Sequence, residues 1–130
     1  MIENNHQWEK AETIEIGIRN IKPLILIRKN GGVHLNSALV RKYNLHNKYV
    51  EVKILSEENK SIIGFVFTDK KRDNLLTLAF GKDKKNASFS GRSIFTKAKF
   101  DVKRKAPISI EPKIEEYEGN KIFVIELKKD

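Results

Sequence analysis

The 130-residue sequence contains no cysteine. Disulfides, thiolate metal sites and cysteine nucleophiles are therefore excluded, and the absence fits a reducing compartment. No apolar run approaches the roughly 20 residues that a bilayer-crossing helix needs, so no membrane partner is expected. The opening Met1-Ile2-Glu3-Asn4-Asn5 lacks the basic-then-apolar layout of a signal peptide, and the expected location is cytoplasmic. His6, His34 and His46 are not spaced as zinc ligands, so neither a metal nor a cofactor is expected. Ser90-Gly91-Arg92-Ser93 lacks the Gly-x-Ser-x-Gly elbow and the Gly-Lys-Ser/Thr ending of a phosphate loop. With no catalytic set visible, the chain is expected to bind rather than to be an enzyme.

What the sequence does hold is positive charge in one place. The net charge is +9. Between Lys70 and Lys105 stand twelve basic residues and three acidic ones, so this stretch carries the whole excess. Charge confined in this way repels itself in a compact fold, and a polyanionic partner relieves that cost. The alternative is a solvated lysine-rich face with no partner.

Apolar periodicity predicts an α+β, mostly β chain. Ile14, Ile16 and Ile18 alternate with Thr13, Glu15 and Gly17, which predicts a leading strand over 12–23 behind a polar arm at 1–11, with Trp8 pinning the arm. Leu24-Ile25-Leu26-Ile27 is a buried strand, and Asn30-Gly31-Gly32 supplies the positive φ that a tight hairpin needs. Val33 and Leu35 start the return strand, and Asn36 or Ser37 can cap a short helix through Leu39, Val40 and Tyr43. Strands around Val50 to Ile54 and Ile62 to Phe67 complete the first half, 24–68.

The order then recurs over 74–128. Leu75 to Phe80 is a strand, 81–86 a loop, Ala87 and Phe89 the return strand, and Ser90 a cap for a helix bearing Ile94, Phe95 and Ala98. Ile108 and Ile110 alternate, Glu115, Glu116 and Glu118 sit in a turn, and Ile122 to Leu127 closes the chain. Leu35 and Phe89 stand 54 residues apart, and Ile62 and Ile122 stand 60 apart; an insertion near Lys103-Arg104-Lys105 absorbs the difference. One half alone buries too little surface to be stable. The expected architecture is therefore a single compact barrel-like domain made from two pseudo-repeated strand–strand–short helix–strand–strand halves.

The stretch Gly31-Gly32-Val33-His34-Leu35-Asn36-Ser37-Ala38-Leu39-Val40-Arg41-Lys42-Tyr43-Asn44-Leu45, with Val50-Glu51-Val52 after it, resembles the AbrB family of swapped-hairpin transcription factors. That family shows a glycine turn, a short apolar strand, a proline-started basic helix, a leucine and a Gly-Asp turn into a valine-rich strand. Here Asn36 stands in place of the proline, and His46-Asn47-Lys48-Tyr49 replaces the Gly-Asp turn. Tandem copies occur in the related MraZ-type proteins. The resemblance implies a β-barrel with DNA-binding potential.

The candidate contacts to nucleic acid, DNA ahead of RNA, are Lys82, Lys84 and Lys85 in a hairpin loop, Arg92, Lys97 and Lys99 on or beside the second helix, Lys103, Arg104 and Lys105 after it, and Arg28 and Lys29 in the first turn. Lysine acts as a point charge, so affinity with little sequence preference is expected; Arg92 and Arg104 carry the planar fork that can read bases. Arg41 and Lys42 can extend the same surface in a pseudo-symmetric pair, but are read first as helix solubility. Phe80, Phe89, Phe95 and Phe100 lie among these cations but fall at core spacing. A regulatory role is one use of such binding. The rival function is a protein-interaction or accessory module, or a homodimer, that docks by an exposed strand edge.

Overall fold

The computed structural model describes residues 22–129. The arm at 1–11 with Trp8, and the leading strand apart from its last residues, lie outside them. The described chain runs β1 (Ile25–Ile27), β2 (Gly32–Leu35), α1 (Ser37–Tyr43), β3 (Tyr49–Ser56), β4 (Lys60–Thr68), β5 (Leu76–Thr77), β6 (Ala79–Phe80), β7 (Ala87–Ser90), α2 (Arg92–Lys97), α3 (Val102–Lys105), β8 (Ile108–Ile110), β9 (Lys113–Tyr117) and β10 (Asn120–Lys128).

Alternation places the strands. Val33 and Leu35 of β2 are fully buried while Gly32 and His34 face outward, as a period of two requires. The strands form two antiparallel five-stranded sheets, ordered β6-β7-β2-β1-β8 and β5-β3-β4-β10-β9. The ladders are thus two sheets, not one closed barrel. The sheets are joined at both edges by continuous chain. Only Leu78 separates β5 from β6, and only Glu111 and Pro112 separate β8 from β9. Pro112 has no N–H to give a ladder, which breaks the strand there.

Similar burial, hydrogen bonds and pairings recur along the chain at three offsets. Val33, His34 and Leu35 share burial with Ala87, Ser88 and Phe89, which lie 54 residues on. In the helices the offset is 55. Val40 N–H donates to Asn36 O and Leu45 N–H to Val40 O, while Phe95 N–H donates to Gly91 O and Phe100 N–H to Phe95 O. Asn44 and Lys99, again 55 apart, both take positive φ, 52° and 57°. In the closing hairpins the offset is 60: Lys53 pairs with Gly64, and Lys113 with Val124. The added residues fall between Phe100 and Lys113, where α3 lies. Two pairings join a residue to its own counterpart: His34 to Ser88 across β2 and β7, and Gly64 to Val124 across β4 and β10.

The core lies between the sheets and under the helices. Phe65 meets Phe89 edge-on at 5.6 Å, and Tyr43 and Phe67 meet Phe123 at 4.8 and 5.1 Å. The buried Phe65, Phe89 and Phe123 each contribute about 1.5–3 kcal/mol of transfer free energy, and the half-buried Tyr43 and Phe67 less. Ser61, the one buried polar residue among the described hydrophobic core, is satisfied by donating to Ala98 O at 2.9 Å, which ties β4 to the end of α2.

Four local expectations need correcting. Gly91, not Ser90, caps α2, and it offers no side-chain bond. Ser90 ends β7 instead, because one extra residue separates strand from helix in this half. Lys103, Arg104 and Lys105 form α3, begun by Asp101, whose carboxylate accepts from Lys103 N–H at 3.1 Å. The strand expected from Leu75 to Phe80 is interrupted where Leu78 turns into the core. Glu115 and Glu116 lie in β9 rather than in a turn, since Ile114 between them and the corner packs inward.

Candidate nucleic-acid interface

Each hairpin loop rests on the helix of the other half. In the β1–β2 turn Asn30 Oδ1 accepts from Gly32 N–H at 2.8 Å, and Gly31 takes φ +86°. Gly31 O then accepts from Gly91 N–H at 2.9 Å, at the start of α2. A Cβ on Gly31 would stand 3.1 Å from Arg92 Cα, so glycine is required by both the φ and the close approach. Around this contact Lys29, Asn30, Arg92, Thr96, Asp101 and Lys103 line a cleft of about 260 Å³.

The β6–β7 loop meets the other helical side differently, at His46 beyond the end of α1, since the Asn36 N–H at the helix start donates to Leu24 O. Asp83 Oδ1 accepts from Lys85 N–H at 3.1 Å, which shapes the loop. His46 Nε2 lies 2.9 Å from Lys84 O. A carbonyl only accepts, so the imidazole proton sits on Nε2. Phe80 stacks on the same imidazole at 5.3 Å. Ser37, Arg41, His46, Lys84 and Lys85 line a cleft of about 200 Å³. Ser37, Arg41 and His46 stand 55 residues before Arg92, Thr96 and Asp101, so the two clefts are equivalent places in the two halves.

Between the hairpins, on the outer face of β2 and β7, lies a groove of about 400 Å³. Gly32, Ala79, Ser88 and Ser90 keep it open, and Arg28, Asn30, His34 and Thr77 border it; no carboxylate lines it. Arg28 Nη2 lies 3.3 Å from His34 Nδ1. Guanidinium only donates, so Nδ1 accepts. Burial, and then the Arg28 charge, hold His34 below its usual imidazole range. The ring is neutral near pH 7.

The structure therefore brings together Lys29, Arg92 and Lys103 in one cleft, Lys84 and Lys85 in the other, and Arg28 in the groove. Lys82 shares the β6–β7 loop and is exposed. The others go elsewhere. Lys97 and Lys99 flank the C-terminal end of α2, beside the Ser61 contact and away from the turn that meets its start. Lys105 Nζ donates to Lys128 O at 3.2 Å and lies over the Phe100 ring, so it is tethered to β10. Arg104 is exposed on α3 and lines neither cleft. Among the described residues none of Lys29, Lys84, Lys85, Arg92 and Lys103 makes a salt bridge, whereas Lys48, Lys60 and Arg72 are paired with Asp69, Glu126 and Glu51. Phe89, Phe95 and Phe100 are buried, and Phe80 is half-buried.

Comparison with known proteins finds no family model, no curated protein and no solved structure that matches this chain. No family is shown. The site must therefore be judged on its own geometry. No helix among the described residues is long and apolar enough to cross a membrane. No group of three or more histidine, aspartate or glutamate side chains among them could hold a metal ion.

Sequence reasoning weighed Arg41 but ranked it as helix solubility first, and took His34 and His46 only as unsuited zinc ligands. Arg41 and His46 had a signal: counting 55 residues back from Thr96 and Asp101 puts them in an equivalent cleft. His34 had only its outward parity in β2. Nothing in the sequence announces that β2 pairs with β7 and sets His34 beside Ser88.

Proposed function

We propose that this chain binds nucleic acid, duplex DNA ahead of RNA, through the two basic clefts and the groove between them. The observation that carries the proposal is two cation clusters, without salt-bridge partners among the described residues, each where a hairpin loop meets a helix, with a carboxylate-free groove between them. The clefts lie beyond the two ends of the β2–β7 ladder, which is four residues long, about 13 Å at roughly 3.3 Å per residue. In this account the chain is a duplicated AbrB-like unit whose two sheets, linked at both edges, act as a barrel-like frame.

Lysine and arginine in the clefts take phosphate oxygens and release counterions, which positions the duplex without naming its sequence. Arg28 and Arg92 bring the planar fork to the groove and one cleft, so any base preference arises there. The experiment is fluorescence anisotropy with the full chain and a random-sequence duplex between about 50 and 200 mM salt. Strong, salt-sensitive binding that falls at least about tenfold in Lys84→Glu/Lys85→Glu supports the proposal. Binding that ignores both salt and the double substitution removes it.

A further inference from the structure

The groove between the clefts holds a contact that neither cleft has. His34 sits in the middle of the first sheet, opposite Leu26 of β1 and opposite Ser88 of β7. Arg28 N–H donates to Gly32 O at 2.9 Å, and Arg28 O accepts from Gly31 N–H at 2.9 Å, so the hairpin fixes the arginine backbone beside β2. A period of two from Leu26 sends the Arg28 side chain to the face that His34 occupies. Its stem crosses Gly32, where an added Cβ would stand 4.0 Å from Arg28 Cδ. The guanidinium then reaches the imidazole, with Nη2 3.3 Å from Nδ1. Leu26 and Ser88 opposite the ring, and Thr77 and Ala79 from β5 and β6, bring neither charge nor a titrating group. Among the described residues that line the groove, Arg28 is the one permanent charge beside His34.

That contact exists in one protonation state only. Guanidinium has donors and no acceptor, so the bond needs the lone pair of His34 Nδ1. Protonation turns Nδ1 into a second donor. Two cations then face each other across 3.3 Å with no bond between them. An oxyanion placed at this point reverses the balance. Its oxygens accept from Nδ1–H and from the guanidinium, and its charge offsets both. Burial and the Arg28 charge hold the ring neutral near pH 7 while the groove is empty, so anion and proton favour each other's arrival.

We infer that the groove seats one backbone phosphate of the bound nucleic acid between Arg28 and His34, and that seating it brings one proton onto His34. The inference rests on the nucleic-acid proposal and adds a third point of contact, on a strand pair rather than beside a helix. Lysine and arginine in the clefts stay charged from pH 5.5 to 8, so their phosphate contacts respond to salt and not to pH. The groove contact responds to both. His46 in the other cleft is the remaining imidazole among the described residues, and its Nε2 already donates to Lys84 O.

The test follows the histidine ring signals of the full chain by NMR in phosphate-free buffer, alone and with a saturating random-sequence duplex, with His34→Asn assigning the His34 signal. The His34 midpoint should move upward when duplex is added. Anisotropy at fixed salt should show binding that tightens as pH falls between the two midpoints, by up to about tenfold per pH unit, the limit for one proton. His34→Asn should flatten that pH dependence and leave binding salt-sensitive, and Arg28→Gln should lower the salt slope by about 0.9. Inorganic phosphate at the same concentration of phosphate groups should leave the midpoint in place, because only a backbone phosphate is presented by the clefts at high effective concentration. An equal shift with inorganic phosphate would assign the groove to a free oxyanion and overturn the inference. So would a midpoint that duplex leaves unmoved, or a pH dependence that survives His34→Asn and so belongs to His46; salt-sensitive binding would in those cases keep the two-cleft proposal. Loss of salt-sensitive binding in the unaltered chain would remove both.

Discussion

The two loop-on-helix sites share a helical backbone pattern and differ in side chains and in how the loop meets the helix. Both helices are followed by a residue of positive φ and both receive a hairpin loop, yet α1 begins with Asn36 and α2 with Gly91. Asn36 does three things at once. Its Oδ1 accepts from Leu39 N–H and from Leu24 N–H, each at 3.0 Å, and its amide donates to Lys22 O at 2.7 Å. Gly91 has no side chain, and a Cβ there would stand 2.7 Å from Val33 Cγ2 and 2.8 Å from Phe95 Cε2. One half fixes its helix by polar bonds, the other by close packing under Phe95. Cations are divided in the same manner. Arg41 on α1 faces Lys84 and Lys85 on the loop, whereas Arg92 and Lys103 on the second helical side face Lys29. Two clefts beside similar helices thus carry different side chains, with cations lining each.

The largest expected break in that comparison is at the equivalent buried positions Phe95 and Val40. Phe95→Ala should cost about 3–5 kcal/mol of unfolding free energy, and Val40→Ala, which removes only two carbons, about 1.5–3. Urea titration of both variants measures the gap, and equal losses would mean that α2 does not depend on packing more than α1 does. Next comes the cap. Asn36→Ala should cost about 1–2 kcal/mol because three bonds go with the side chain, while Ser90→Ala should leave stability unchanged. The same titration reads both.

A smaller effect is expected at the helix ends. Lysine is strained at positive φ and asparagine tolerates it, so Lys99→Gly should gain up to about 1 kcal/mol while Asn44→Gly changes little. Thermal unfolding distinguishes them. The central pair offers the last contrast, since His34 titrates and Ser88 does not. The folded pKa of His34 lies below the ordinary 6.5. The folded state therefore holds fewer protons there than the unfolded chain, and stability in the absence of ligand falls as pH drops below 6.5 through the folded value. Phosphates beside the ring favour its protonated form, so duplex binding should tighten over the same pH range. His34→Asn should remove that pH dependence and Ser88→Ala should keep it.

Much of the frame was legible from alternation alone. The strands holding Ile25, Val33, Val50, Ile63, Phe89 and Ile125, and the Asn36 cap, follow from period and cap chemistry. What was not legible depended on partners distant in sequence. Pro112 and Leu78 split strands because each chain segment there leaves one sheet for the other, and no local signal marks such a crossing. Glu115 and Glu116 read as a turn because the strand holding them, last in its sheet among the described residues, buries only Ile114 in part and so shows no apolar alternation. At the candidate interface, the cations of the two hairpin loops were legible as loop charges. Their division into two clefts was not, because it depends on which helix each loop reaches.

The most direct measurement is the salt dependence of duplex binding for the unaltered chain, for Lys29→Gln/Arg92→Gln/Lys103→Gln, and for Arg41→Gln/Lys84→Gln/Lys85→Gln. Each phosphate contact contributes about 0.9 to the slope of log affinity against log salt concentration. If both clefts hold one duplex, the two triple variants should lose similar slope, about 2–3 each, and their combination should lose nearly all of it. A slope that one variant abolishes and the other leaves intact would contradict the two-cleft account.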